Sequence, residues 1–231
     1  MLITGFQKST LLDYPGKVAA LIFTYGCNLR CSYCHNPELV TLPCIPSTIV
    51  KEEYILEYLK ERKNLLDAVV ITGGEPTIQS DLIPFIKKIK KLGYLFKLDT
   101  NGTNSKIVKD LLDLDIVDYW AMDVKYEKEL YFQNLEEEID YKEIVKSIEL
   151  IKERGKDYEF RTTYVKGIHT INSAKGIGEL IKGSKRYYIQ NFRPGKTIDP
   201  SLDFSNSFTE KELKQIKNIA LKYINDVQIR Y

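Results

Sequence analysis

Residues 18–24 read VAALIFT, and the polar loop YGCNLRCSYCHN follows at residues 25–36. A continuous apolar run of this length predicts a strand buried on both faces, as in parallel sheets. Five further runs of this kind occur, and each leads into or carries a polar motif. The pairs are VAALIFT with the cysteine loop, AVVIT (68–72) with GGEP (73–76), YLFKLDT (94–100) with DTNG (99–102), VDYWAMDV (117–124) with MDVK (122–125), YEFRTTYV (158–165) with Arg161, and RYYIQNF (186–192) with Gln190. We therefore expect the polar motifs to meet at one edge of a sheet.

Helical patterns separate the predicted strands. They cover about residues 51–63, 80–92, 105–114, 141–154, 173–182 and 209–223. Strands that alternate with helices predict an α/β fold, in which a parallel sheet is joined by right-handed crossovers. Six such units predict a partial (β/α)6 TIM-like barrel in a single domain, residues 1–231. An open doubly wound sheet is the alternative.

Composition narrows the class of protein. The 231 residues are 43% hydrophobic, enough for a sizeable core without disulfides. The chain has 34 basic and 32 acidic residues, a near-balance that argues against a nucleic-acid-binding protein. The sequence shows no secretory leader and no apolar run of membrane-spanning length, so we expect a cytoplasmic protein without a membrane partner. In that compartment the four cysteines are expected to be metal ligands or catalytic groups.

Three of the cysteines form a metal-binding pattern. Cys27, Cys31 and Cys34 are spaced as CxxxCxxC, so that one loop can direct three thiolates at one centre. Thiolates favour iron–sulfur clusters, zinc or Cu(I). A four-iron cluster held by protein alone takes four cysteines, so three would leave one iron open to an external ligand. The spacing alone leaves a structural zinc site, completed by Cys44 or His35, as an alternative.

The cysteine loop resembles the radical S-adenosylmethionine (radical SAM) superfamily. Its signature is CxxxCxφC, with an aromatic residue before the last cysteine, and Tyr33 stands there. The resemblance covers essentially the whole chain and is strongest over residues 5–40, which resemble the glycyl-radical-enzyme activating enzymes. Among these, the sequence is most similar to the activating protein of anaerobic ribonucleoside-triphosphate reductase. The YCHN string at residues 33–36 and the later motifs also resemble the pyruvate formate-lyase activating enzyme.

The resemblance implies a [4Fe–4S] cluster on the three cysteines and S-adenosylmethionine on its open iron. The GGE segment would hold the methionine amino group, and the DT and DxK motifs would contact the cofactor and a cation. The implied cofactor-binding residues are Tyr33, Cys34, His35, Gly73, Gly74, Glu75, Asp99, Asp123, Val124, Lys125, Arg161 and Gln190. A monovalent cation is implied at Asp99, Thr100 and Asp123, where hard oxygen ligands are available. Gln190 departs from the pyruvate formate-lyase activating enzyme, which has a histidine at that place.

Structural alternatives remain open for several of these residues. Gly73–Gly74 would also serve an ordinary turn after a strand. Arg161 could form a salt bridge with Asp99 or Asp123 instead of contacting a cofactor. His169 is interpreted as a loop histidine.

Three functions compete at this point. The first is an oxidoreductase that cleaves S-adenosylmethionine to a 5′-deoxyadenosyl radical and generates a glycyl radical on a partner enzyme. Anaerobic ribonucleoside-triphosphate reductase is the expected partner, pyruvate formate-lyase is the second, and a flavodoxin or ferredoxin-type protein would donate the electron. The second function is a radical SAM enzyme that acts on a small molecule, similar to the deazapurine-forming synthases. The third is a zinc-bound structural or nucleic-acid-binding module, against which the balanced charge and the six strand-end motifs argue.

Overall fold

The computed structural model describes residues 1–40, 49–134 and 140–230. Its centre is one eight-stranded sheet. The strands are β1 (Ile3–Thr10), β2 (Ala19–Thr24), β3 (Ala68–Gly73), β4 (Leu95–Thr100), β5 (Tyr119–Asp123), β6 (Tyr158–Tyr164), β7 (Tyr187–Asn191) and β8 (Val227–Arg230). The helices are α1 (Pro37–Val40), α2 (Glu52–Glu61), α3 (Leu82–Lys91), α4 (Ser105–Asp113), α5 (Lys128–Asn134), α6 (Tyr141–Arg154), α7 (Ser173–Leu180) and α8 (Glu210–Ala220), with short 3-10 helices at Pro76–Ile78 and Phe204–Asn206.

The strands lie in the sheet in the order in which they occur in the chain. β1 pairs antiparallel with β2, and every later neighbour pair from β2–β3 to β7–β8 is parallel. A doubly wound sheet reverses its strand order at a switch point, and no reversal occurs here. Right-handed crossovers in one direction place the helices on one side of the sheet, as in a barrel. The fold is therefore the predicted partial TIM-like barrel, and the doubly wound alternative is wrong.

All six predicted strands are present, but the predicted number of strands is too small. The structure adds β1 at one edge of the sheet and β8 at the other. Both are edge strands with exposed or half-exposed residues, so neither shows the continuous apolar run of a buried strand. The single domain over residues 1–231 remains a prediction.

Alternating side chains of the strands pack on opposite faces of the sheet. Ala20 and Ile22 of β2 belong to the main hydrophobic core, together with Phe85 of α3. Ala19 and Leu21 point the other way and pack in a smaller cluster with Tyr14, Ala68, Val70 and Tyr119. We call the face of the smaller cluster the inner face of the sheet. Towards the carboxyl-terminal ends of the strands, this face carries polar residues, and these form the candidate site.

The ends of the helices follow their sequence signals. The side chain of Asp140 accepts a hydrogen bond from the backbone N–H of Lys142 at the start of α6. Thr209 and Glu212 form a capping box at the start of α8. Gly93, two residues beyond α3, adopts a φ of +81° that favours glycine. No helix within the described ranges is long and apolar enough to cross a membrane.

Candidate active site

A cavity of about 220 Å³ lies at the carboxyl-terminal ends of strands β2 to β6. Three cysteines of the loop after β2 line it, together with residues from the ends of the next four strands. The lining residues are Cys27, Leu29, Cys31, Tyr33, Cys34, His35, Asn36, Val40, Thr72, Gly73, Gly74, Glu75, Asp99, Thr100, Asn101, Asp123, Lys125, Arg161 and Thr163. Five of the six predicted strand-end motifs thus meet in one cavity.

The cysteine loop is held directly against the end of β3. The carbonyl oxygen of Gly26 accepts the backbone N–H of Glu75 at 2.8 Å. This approach needs glycines, because a β-carbon on Gly74 would overlap the Gly26 carbonyl and one on Gly73 would overlap the backbone of Thr24. Gly73 also has a φ of +116°. The two glycines therefore fasten the cysteine loop to the sheet as well as lining the cavity.

The three thiols are enclosed to different degrees. Cys31 is buried, and Cys27 and Cys34 are half-buried. Burial raises the pKa of Cys27 to about 12. Burial also raises the pKa of Cys31 to about 11, although the ammonium of Lys125 opposes the shift. Metal binding must therefore displace protons from these thiols. Cys44, the alternative zinc ligand, lies outside the described residues.

The donor set fits an iron–sulfur cluster. A four-iron cluster binds each cysteine through a different iron, so its thiolates do not converge on one atom. Three soft thiols lining one cavity match that requirement.

Glu75 anchors the GGE segment to the end of β4. Its side chain is 1% exposed, and one carboxylate oxygen accepts hydrogen bonds from Thr77 N (3.0 Å), Thr77 Oγ1 (2.6 Å) and Thr100 Oγ1 (2.7 Å). The other oxygen accepts the backbone N–H of Asn101 at 2.6 Å. Burial raises the pKa of Glu75, and these hydrogen bonds oppose the rise. The carboxylate therefore connects two strand ends.

A chain of alternating charges runs from the cavity wall to the buried Lys97 of β4. Lys97 Nζ lies 2.9 Å from Asp99 Oδ1, and Arg161 Nη1 lies 3.2 Å from Asp99 Oδ2. Arg161 Nε lies 2.8 Å from Asp123 Oδ1, and Lys125 Nζ lies 2.9 Å from Asp123 Oδ2. We call these five residues the charge layer. Alternate residues of a strand share a face, so Lys97 and Asp99 of β4 both point into the charge layer.

The charge layer keeps both carboxylates ionised. Burial raises the pKa of Asp123, but the charges of Arg161 and Lys125 outweigh it and hold that pKa well below its usual range. Burial likewise raises the pKa of Asp99, and Arg161 with Lys97 brings it below the usual value. The salt bridges that the sequence left as an alternative for Arg161 are thus present.

The charge layer also bears on the monovalent cation predicted at Asp99, Thr100 and Asp123. All four carboxylate oxygens of Asp99 and Asp123 already lie close to a lysine or arginine nitrogen. The hydroxyl of Thr100 donates to Glu75. A cation there would have to replace these positive groups, and the site remains a prediction.

Ten of the twelve predicted cofactor-binding residues line the cavity, and Val124 and Gln190 do not. The side chain of Val124 is fully buried in the core. Gln190 lies beside Thr163 on the neighbouring strand β7, and its Oε1 accepts the hydroxyl of Thr163 at 3.4 Å. His35 lines the cavity and stacks on Phe192, with ring centroids 5.5 Å apart.

His169 lies in the loop between β6 and α7, as interpreted from the sequence, but that interpretation did not include the burial of its side chain. Its side chain is 2% exposed, and Nε2 lies 2.8 Å from the carbonyl oxygen of Lys125. The sequence KGIHTINS gave no periodic signal for this burial, because tyrosines distant in the chain enclose the ring. Lys97 was also missed, although its position two residues before Asp99 placed it on the same face of the strand.

Comparison with known proteins agrees with this geometry. Residues 21–172 match the Radical SAM superfamily. A protein of Methanocaldococcus jannaschii, provisionally named as a glycyl-radical enzyme activating enzyme, is 34% identical over 235 residues, covering 99% of this chain and 95% of that protein. The pyruvate formate-lyase-activating enzyme of Clostridium pasteurianum is 34% identical over 125 residues, covering 49% of this chain and 51% of that enzyme.

Solved structures share the fold at low sequence identity. Streptococcus suis SuiB bound to S-adenosylmethionine superposes with a TM-score of 0.68 at 15% identity, covering 90% of this chain; the chain spans about half of SuiB, 48% of its length. Escherichia coli QueE superposes with a TM-score of 0.59 at 14% identity, covering 99% of this chain and 93% of QueE. The superfamily match extends over more than half of the chain and includes the three cysteines of the loop after β2. The chain belongs to the radical SAM superfamily, in the branch that includes the glycyl-radical enzyme activating enzymes.

Proposed function

We propose that this protein binds a [4Fe–4S] cluster through Cys27, Cys31 and Cys34 and generates a glycyl radical on a partner enzyme. The superfamily implies the cluster and S-adenosylmethionine. The observation that carries the proposal is that the three thiols, the GGE segment and four of the five charge-layer residues, all but Lys97, line one cavity. Held by these residues, a reduced cluster and S-adenosylmethionine would supply the radical chemistry needed to abstract a hydrogen atom.

The residues of the chain have separate tasks in this proposal. The three thiolates hold the iron, and the glycines at 73 and 74 let a ligand approach the backbone closely. Lys125 places a positive charge near the thiols of Cys31 and Cys34. The charge layer presents fixed charges of both signs to a ligand that carries an amino group, a carboxylate and a sulfonium. Residues from the ends of five strands line the cavity that would hold the reacting atoms.

A glycine in a partner protein is the proposed substrate. The M. jannaschii relative, which matches almost the full length of this chain, is provisionally named for that activity. Residues 5–40 resemble the activating protein of anaerobic ribonucleoside-triphosphate reductase, and we propose that enzyme as the partner and a flavodoxin or ferredoxin-type protein as the electron donor. A sheet with β1 and β8 at separate edges would give an extended loop access to the cavity.

Anaerobic reconstitution tests the cofactor. Protein incubated with iron and sulfide is expected to become brown and, once reduced, to cleave S-adenosylmethionine to 5′-deoxyadenosine. Cys31→Ala should abolish both the cluster and the cleavage, whereas the matched variant Cys44→Ala should keep both. Loss of the cluster in the Cys44 variant would refute binding by three cysteines, and a colourless zinc protein would refute the radical function.

A second experiment tests the partner. The reduced protein, S-adenosylmethionine and anaerobic ribonucleoside-triphosphate reductase from the same organism are mixed, and a glycyl-radical resonance is expected. A partner in which the radical-bearing glycine is replaced by alanine is the control. Cleavage without a glycyl radical on that reductase or on pyruvate formate-lyase would favour a small-molecule substrate.

A further inference from the structure

The main chain of Lys125 lies just beyond the point where β5 stops pairing with β6. Val124 still donates its backbone N–H to the carbonyl of Arg161 at 2.8 Å, and its own carbonyl accepts the Thr162 hydroxyl at 2.6 Å. Two side chains supply the hydrogen bonds of the next residue. Tyr131 Oη accepts the N–H of Lys125 at 3.0 Å, and His169 Nε2 lies 2.8 Å from its carbonyl oxygen. Both polar groups of the Lys125 main chain are therefore held by side chains.

The protonation of His169 follows from its two neighbours. Nδ1 lies 3.1 Å from the backbone nitrogen of Val165 and must accept that N–H, so the ring proton is on Nε2. Nε2 then donates to the carbonyl of Lys125. Burial lowers the pKa of His169 to about 4, which keeps this neutral form near neutral pH. The ring thus fixes the distance between the turn at 165–169 and the end of β5.

An aromatic cluster fixes the orientation of the ring. His169 stacks on Tyr126, with centroids 5.2 Å apart and planes 18° apart. Tyr164 and Tyr33 pack against the same ring at 5.3 and 6.2 Å. Tyr33 lies between Cys31 and Cys34 in the sequence, so this cluster joins the Lys125 segment to the cysteine loop.

The side chain of Lys125 faces the cavity from this fixed main chain. Its ammonium contacts Asp123 at 2.9 Å, and its charge acts on the Cys31 and Cys34 thiols. A rotation of the peptide after Lys125 would move the ammonium relative to both. We propose that His169, with Tyr131, is a positioning residue that holds Lys125 for the binding of S-adenosylmethionine. The inference rests on the proposed function, in which Lys125 belongs to the cofactor site.

The test compares variants that break one contact at a time. His169→Phe keeps a ring on Tyr126 but removes both hydrogen bonds. His169→Gln restores a donor toward the Lys125 carbonyl, and Tyr131→Phe removes only the acceptor of the Lys125 N–H. Tyr164→Phe is the matched control, since it loses a hydroxyl contact with Tyr187 (3.1 Å) in the same cluster without touching Lys125.

Each variant is reconstituted anaerobically and its iron content is measured. S-adenosylmethionine is then added in steps, and its binding is followed by the change in the electron paramagnetic resonance spectrum of the reduced cluster. We expect unchanged iron and a Kd for S-adenosylmethionine raised about tenfold in His169→Phe and about fivefold in Tyr131→Phe. His169→Gln should stay within about threefold of wild type and Tyr164→Phe should match it. Melting temperatures recorded in parallel separate a general loss of stability from a loss of affinity.

Several outcomes would overturn the proposal. It fails if His169→Phe and Tyr131→Phe hold iron and bind S-adenosylmethionine as wild type does, whatever their melting temperatures. If His169→Phe cannot hold iron, Tyr131→Phe decides: a raised Kd with intact iron supports the proposal, and a wild-type Kd refutes it. If the wild-type spectrum itself does not respond to S-adenosylmethionine, the proposed function fails, and this inference fails with it.

Discussion

The carbonyl oxygen of Gly26 occupies the space in which a β-carbon of Gly74 would lie. The contact joins the cysteine loop to the end of β3. The hydrogen bond from Glu75 N to the same carbonyl holds the loop against the strand. The position of the three thiols relative to the sheet thus depends on the absence of one methyl group.

We expect Gly74→Ala to push the cysteine loop away from β3. Overpacking of this kind costs about 1–3 kcal/mol of stability, and here it should also lower the iron bound after reconstitution. Iron content and the free energy of unfolding are the measurements. Gly195→Ala is the matched control, because no atom lies within 4 Å of its β-carbon position. Full iron loading of Gly74→Ala would show that the loop adapts.

Glu75→Gln should destabilise the junction between β3 and β4. An amide cannot accept at both of its polar atoms, so one of the donors from Thr77, Thr100 or Asn101 would face an NH2 group. We expect a loss of about 2–3 kcal/mol in the free energy of unfolding, measured with urea. Glu57→Gln, on the exposed face of α2, should change it by less than about 0.5 kcal/mol. Equal effects of the two substitutions would contradict the anchoring role of Glu75.

Arg161→Met should destabilise the protein, because it removes the central positive charge of the charge layer. Asp99 and Asp123 would each lose a partner, while Lys97 and Lys125 would remain, and we expect a loss of about 3 kcal/mol at neutral pH. The pKa of Asp123 should rise, so the loss should shrink on acidification. The comparison is Arg154→Met, which breaks a 2.7 Å contact with Asp113 at the surface and should cost less than about 1 kcal/mol. A pH-independent loss would argue against ion pairing.

The stability of the iron-free protein should depend on pH through His169. The unfolded chain binds the proton below about pH 6.5, whereas burial lowers the pKa in the folded chain to about 4. The contribution of neutral His169 is therefore fully present above pH 6.5 and is lost as pH falls toward 4, by about 3 kcal/mol in all. His169→Gln lacks this loss, so the difference in unfolding free energy between wild type and variant should narrow from pH 7 to pH 4.5. Parallel curves for the two proteins would show that His169 does not titrate as described.

The sequence predicted those parts of the fold that leave a pattern within a single short segment. The buried strands β2 to β7 show apolar runs, and the cysteine loop, GGE and the charged strand ends stand out because their chemistry is unusual for a strand end. The edge strands β1 and β8 were missed, since most of their residues are exposed or half-buried and their sequences mix polar and apolar residues.

The remaining features of the site depend on contacts between distant residues. His169 follows Lys125 by 44 residues, and nothing in the local sequence shows that the two meet. The anchoring of Glu75 through Thr100 and Asn101 likewise needs the register of β3 against β4. Gln190 was placed in the cofactor site by analogy with a histidine, and the structure puts it beside Thr163 on the next strand, just outside the residues that line the cavity.

The charge layer has a consequence for electron transfer. In it, Asp99, Arg161 and Asp123 each touch two neighbours of opposite sign, and Lys97 and Lys125 close its ends. Groups that hold one another in place turn little when a nearby charge changes, unlike water, which must reorient. An electron that arrives beside the thiols would therefore meet a wall with a small reorganisation energy, which lowers the activation barrier to its transfer.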